Sequence, residues 1–224
     1  DYKVTGVQTC ALPILLDLCC GTGHTVAAAL ERGVEACGVD LASAMLALAR
    51  QRCPEATFLL GDAEALDAAE LGLEAERFDA LCSLFGLNHL PDQERAMAQV
   101  LRLLRPGGRF AFTMWCPPGP SKFHALVQDA IAAHGRGDLP SPVTGPAPRL
   151  RYGDPQSCTD LLVAAGFASP VVRELPLAFD LEAPETVLEL AATSPRVSRL
   201  LALQSPGDRR RIEQAIVDGA LAFR

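Results

Sequence analysis

From residue 14 onward, short apolar runs alternate with segments of helical periodicity. Ile14–Leu18, apolar except for Asp17, predicts a first strand. The Ala-rich stretch after it predicts a helix over Thr25–Arg32, stopped at Gly33, which can take the left-handed conformation of a helix end. Val34–Val39 predicts a second strand, ending on Asp40. Ser43 is placed to cap a helix over Ala44–Cys53, which Pro54 terminates. Thr57–Leu60 predicts a third strand, ending at Gly61-Asp62, and a weak helical turn spans Ala63–Leu71. Phe78–Phe85 is a near-continuous apolar run, as expected for a strand buried on both faces. Pro91–Leu104 predicts an amphipathic helix with Ala96, Val100, Leu103 and Leu104 on one side. Arg105–Gly108 predicts a turn, and Arg109–Trp115 a fifth strand. This alternation implies βαβ units and an α/β fold with a doubly wound, mostly parallel sheet.

Past Trp115 the rhythm changes. Cys116–Pro120 is a Pro/Gly loop, and Ser121–His134 has helical spacing with Phe123, Leu126, Val127, Ala130 and Ile131 on one face. Gly135–Asp154 is dense in proline and glycine and is expected to be a lid. A helix over Pro155–Ala165, a strand over Pro170–Leu181 and helices over Pro184–Ala192 and Pro206–Phe223 complete the pattern. Asp1–Pro13 follows no period and is set aside as a non-native arm, the alternative being a genuine irregular one. Residues 14–224 are expected to form one domain, with a core over 14–115 and an acceptor-side part over 116–224.

Composition narrows the function classes. Of 224 residues, 49% are apolar, enough for a sizeable core, and the net charge of −7 argues against nucleic-acid binding. The basic cluster Arg209–Arg211 reads as a solvated face. No run reaches the length of a membrane span, and no signal peptide is visible, so a cytoplasmic protein is expected. The eight cysteines include no CxxC pair, which favours buried reduced thiols over a metal site.

The chemistry gathers at strand ends, where doubly wound sheets bind ligands. Asp17, Asp40, Asp62 and Ser83 close four successive predicted strands. Gly21 and Gly23 leave the backbone bare between the first strand and its helix, whose free N–H groups add donors. Such a site suits a ligand with an ammonium at one end and a nucleoside at the other, whereas Asp17 would repel a pyrophosphate.

Five motifs carry a family resemblance: LDLCCGTG (16–23), GVDLASAML (38–46), GDAE (61–64), FDALCSLFGLNHLPD (78–92) and LRPGGRF (104–110). Over about residues 15–115 the chain resembles class I S-adenosylmethionine-dependent methyltransferases of the bacterial ubiquinone/menaquinone type. The resemblance implies a Rossmann-like methyltransferase fold with S-adenosyl-L-methionine as cofactor and a small-molecule acceptor. It further implies that Asp17 and the Gly21/Gly23 backbone hold the methionine moiety and that Asp40 binds the ribose hydroxyls. Leu41 and Met45 would flank the adenine, and Asp62 and the Ala63 N–H would read its edge. Ser83 would line the methionine end. The family often has Gly or Ala at the position of Cys19, so Cys19 leaves the cofactor slightly less room. Family members close the sheet with an antiparallel hairpin, and no such strand is predicted here.

Two rivals remain. A dinucleotide-binding dehydrogenase shares the glycine turn and an acid at Asp40, but Val26 stands at its third glycine position. A methyltransferase-like binding module without catalysis would keep the site and lose turnover. For an acceptor that sheds a proton, His89, just after the fourth strand, is the candidate base, the alternative being a loop-shaping role. Trp115, Phe123 and His124 follow the fifth strand as candidate acceptor contacts. The acceptor's identity and the oligomeric state are not encoded legibly.

Overall fold

The computed structural model describes residues 13–66, 72–115, 122–136, 152–175 and 180–223. Five strands form one parallel sheet: β1 (Ile14–Leu18), β2 (Glu35–Asp40), β3 (Thr57–Leu60), β4 (Phe78–Leu84) and β5 (Leu104–Thr113), in the order β3-β2-β1-β4-β5. The order reverses between β1 and β4, so the glycine turn after β1 opens at the switch point. Among the described residues every strand pairing is parallel.

The sheet is covered on both faces. Helices α1 (His24–Leu30) and α2 (Ser43–Arg52) close one side, where Val26, Ala29, Leu46 and Ala49 pack with Cys20, Ala36 and Phe58. On the other, α3 (Gln93–Leu103) buries Ala96, Met97, Val100 and Leu103 against Leu16, Leu18 and Leu81. The Asp92 side chain caps α3 by accepting from the Arg95 N–H at 3.0 Å. Helix α5 (Pro155–Ala165) joins this same core through Cys158, Leu161 and Leu162, and the Tyr152 hydroxyl donates to the Glu94 carboxylate of α3.

The remaining helices make a core of their own. The chain divides into one compact unit drawn from residues 1–116 and 148–173 and another from 117–147 and 174–224. In the second, α4 (Lys122–His134), α6 (Thr186–Thr193), α7 (Pro195–Ala202) and α8 (Pro206–Ala220) bury Val127, Ile131, Val187, Ala191, Ile212 and Ile216. No described helix is long and apolar enough to cross a membrane.

Four local expectations change. Ser43 begins α2 and does not cap it; Ala42 holds the cap position with no side-chain cap, and its N–H donates to the Asp40 carboxylate at 2.8 Å in the turn before the helix. The turn at Arg105–Gly108 is a bulge inside β5, between the pairs Phe78–Leu104 and Ala80–Arg109, with Gly107 at φ +77°. The described residues of Pro170–Leu181 join no ladder, and among the described residues β5 pairs with β4 alone; residues 176–179 lie outside the described ones. Helix α7 lies in a stretch for which no element is expected above; Ser194 caps it, accepting from the Val197 N–H, and Pro195 supplies a fixed φ at its first turn. Most of the expected lid at Gly135–Asp154 lies outside the described residues.

Candidate active site

The structure brings the strand-end groups to one edge of the sheet. Asp17 ends β1 beside Cys82 of β4, Asp40 ends β2 beside Leu60 of β3, and the Gly61 N–H donates to the Asp40 carbonyl at 3.1 Å. The charges of Asp17, Asp40 and Asp62 all lie near enough to bear on the Cys19 thiol. Burial first, and then these charges, push that thiol up to about 12.

Asp17 is the most unusual group there. It is only 2% exposed, and no basic side chain among the described residues pairs with it. Burial lifts its carboxyl from an ordinary 3.8 to about 6, with Asp40 adding to the rise; hydrogen bonds from Cys82 and Thr25 hold it back. The Cys82 thiol donates to Asp17 Oδ1 at 3.4 Å. A buried carboxylate with weak neutral donors and no cation suits a ligand ammonium.

The turn after β1 is built around bare backbone. Gly21 has φ +53°, and a Cβ built on it would meet nothing within 4 Å, so space lies over the turn. Gly23 begins α1 at φ +79° and is closed in: a Cβ would lie 3.0 Å from Phe58 and 3.1 Å from Ala49. The Arg52 Nε donates to the Thr22 carbonyl at 2.9 Å, tying the end of α2 to the turn.

Asp40 braces the site as well as lining it. Its Oδ2 accepts from the Gly21 N–H at 2.8 Å, while its Oδ1 holds the Ala42 N–H. Each oxygen keeps a second lone pair for a ligand diol. Asp40→Asn turns one of these acceptors into a donor facing a backbone N–H. The expected loss is about 1–2 kcal/mol of stability and about tenfold in S-adenosylhomocysteine affinity, read by denaturant unfolding and calorimetry.

The other expected residues divide. Leu41 and Met45 are exposed, at 72% and 45%, beside Asp40. Asp62 is exposed and accepts from the Glu64 N–H at 2.9 Å, and Ala63 is buried. Ser83 is fully buried, and among the described residues its Oγ meets only the Cys19 thiol, without a well-formed hydrogen bond. His89 is exposed on a short 3-10 turn over Leu87–His89, and no hydrogen bond among the described residues orients its ring. Trp115 is 46% exposed just past β5. Phe123 packs against the core of the second unit, and the His124 side chain lies outside the described residues.

Sequence reasoning missed four participants. Cys82, Thr25 and Arg52 became visible only once register and helix placement set them beside Asp17 and Thr22. Phe85 is the fourth: it sits at φ +57°, costing about 1 kcal/mol in a bulky residue, and its ring stacks on Trp115 with centroids 4.4 Å apart.

Residues 16–112 match the family model described as "Methyltransferase domain". A demethylmenaquinone methyltransferase of Thermus thermophilus is 32% identical over 168 residues, covering 69% of this chain and 74% of that protein. The chain belongs to the S-adenosylmethionine-dependent methyltransferase family. A second relative, from Renibacterium salmoninarum and of the same name, is 31% identical over 117 residues, covering 52% of this chain and 47% of that protein. The chain thus spans about half the length of the first curated relatives it matches. The solved YcgJ protein of Bacillus subtilis shares the fold, with a TM-score of 0.57 and 20% identity over 89% of this chain and 81% of that one. The glycine turn, the three strand-end acids and the β4 segment all fall inside the family match. Val26, at the third glycine position of a dinucleotide fingerprint, is fully buried in this member of the family.

Proposed function

We propose that this chain transfers a methyl group from S-adenosylmethionine to a small ring acceptor of the quinol class. The observation that carries the reading is the buried, cation-free carboxylate of Asp17 beside the open backbone at Gly21. The donor set fits the cofactor: a carboxylate for an ammonium, acceptors for a diol, and bare N–H groups between them. The acceptor class rests on the names of the relatives.

In this reading Asp17 and the Gly21/Gly23 backbone hold the methionine end, with Cys19 and Ser83 beside it. The lone pairs that Asp40 keeps free take the ribose hydroxyls. Leu41 and Met45 cover the adenine, while Asp62 and the Ala63 N–H meet its edge. When bound, S-adenosylmethionine supplies a sulfonium-activated methyl group for in-line displacement. The chain's own part is to orient the partners and exclude water. Where the acceptor sheds a proton, His89 takes it.

Thermal unfolding with and without S-adenosylhomocysteine, followed by transfer of labelled methyl to a demethylmenaquinol, tests the reading. Ligand at 100 times its dissociation constant adds about 2.7 kcal/mol, which raises Tm by about 5–11 °C in a chain of this size. Label is expected in the quinol, and a slower rate in His89→Ala. No thermal shift in folded protein sinks the cofactor assignment; a shift without label leaves a binding module, and full turnover in His89→Ala removes the base.

A further inference from the structure

The segment after β4 places its strain on the wrong residue for a simple turn. Gly86, free to adopt positive φ, sits at φ −75°, while its neighbour Phe85 is held at +57°. Gly86 is needed for closeness: a Cβ on it would lie 2.4 Å from Cys19 Cβ and 2.6 Å from Ser83 Oγ. Phe85 is held from β5. Its N–H donates to Thr113 at both the carbonyl, 3.2 Å, and Oγ1, 3.0 Å. The result is a stacked pair, Phe85 on Trp115, with rings 24° from parallel.

A pair serving only to fill the core would be buried. Trp115 instead keeps 46% of its surface open, and Leu84 beside Phe85 keeps 47%. The pair is continuous with the cofactor end of the site, because Ser83 precedes it and Gly86 touches Cys19. Neither Ser83–Leu90 nor Phe110–Trp115 contains Asp, Glu, Lys or Arg, so these two segments bring no charged acid or base to the surface except through His89.

We infer that Trp115, propped by Phe85, is the stacking face for the methyl acceptor, and that the acceptor is a flat, uncharged ring whose apolar substituent lies along Leu84. The inference rests on the methyl-transfer reading above. Offset rings gain both from buried area and from their quadrupoles, whereas a carboxylated or phosphorylated acceptor would lose its hydration with no cation from either segment in return. The strained Phe85 backbone keeps the two aromatic planes aligned before substrate arrives.

Trp115 is the only tryptophan in the chain, so its emission reports on this surface alone. The probe is 2,3-dimethyl-1,4-naphthoquinone, whose blocked ring positions do not add thiols, titrated into protein with and without S-adenosylhomocysteine. Saturable quenching is expected. Anthraquinone-2-sulfonate, an anionic flat ring, and cyclohexane-1,4-dione, an uncharged non-planar one, should bind at least about tenfold more weakly. Phe85→Gly relieves the positive φ and so folds, yet should weaken the probe about fivefold, while Phe85→Tyr restores it. Neither change should alter S-adenosylhomocysteine affinity by calorimetry. Linear, collisional quenching matching that of free N-acetyltryptophanamide, in protein that binds S-adenosylhomocysteine normally, overturns the stacking face and leaves the methyl-transfer reading standing. Saturable quenching in folded protein that shows no S-adenosylhomocysteine heat sinks the methyl-transfer reading and the acceptor role together.

Discussion

Asp17→Asn will make the ligand-free chain more stable and close to unable to bind its cofactor. Burial raises the Asp17 carboxyl to about 6 in the folded state against an ordinary 3.8. Between those values the folded chain holds a proton that the unfolded chain has lost. Stability therefore falls as pH rises from about 4 to 6, and the full penalty, roughly 3 kcal/mol, is present at pH 7. A neutral amide removes that penalty. One new N–H2 group without an arranged acceptor takes back part of it, so the net gain is about 1–3 kcal/mol at pH 7 and vanishes below about pH 4. The same change deletes the only buried negative charge among the described residues, and S-adenosylhomocysteine affinity should drop about a hundredfold. Denaturant unfolding at pH 4 and 7, paired with calorimetry, reads both halves. In the unaltered chain, affinity should climb up to about tenfold per pH unit below about 6 and level off above it, since the ammonium needs the ionised carboxylate. A destabilised Asn variant at pH 7 would show that the buried charge is compensated by a partner, contrary to its surroundings.

Gly86→Ala should cost about 3 kcal/mol despite a backbone conformation that suits alanine. The added methyl would sit 2.4 Å from Cys19 Cβ and 2.6 Å from Ser83 Oγ, well inside contact distance. Both neighbours are anchored: Cys19 belongs to the turn after β1, and Ser83 lies on β4, held between β1 and β5. Cys19 is itself at φ +57°, where glycine is at ease and cysteine is strained. Cys19→Gly alone should therefore be close to neutral or stabilising by about 1 kcal/mol. Combined with Gly86→Ala it should recover roughly half of the loss, because it removes the nearer of the two clashes. A double-mutant cycle in urea measures the coupling, expected at about 1–2 kcal/mol. Strict additivity would mean that the β1 and β4 turns do not meet as described.

The parallel sheet was legible because β1, β2 and β3 are short, mostly apolar runs with an acid at or near the end, β4 is a longer apolar run, and the helices between them repeat near 3.6 residues. β1 and β3 fall on their predicted bounds, and the strand-end acids follow from those bounds. The second half was harder to read. The described residues of Pro170–Leu181 have strand-like composition but pair with no strand, and pairing is a property of the assembled sheet rather than of local composition. Helix α7 carries a sequence signal that was left unread, a Ser cap followed by Pro at the first helical turn.

Sequence alone thus determined the fold class, the family and the carboxylates that meet at the edge of the sheet, since these depend on local periodicity and on spacing along one chain. Tertiary structure alone decided that Asp17 lies in the dark beside the Cys82 thiol, that Asp40 is already braced by two backbone N–H groups, and that Phe85 is bent back onto Trp115. Burial, register and the approach of distant backbones set those features, and none of the three leaves a periodic trace.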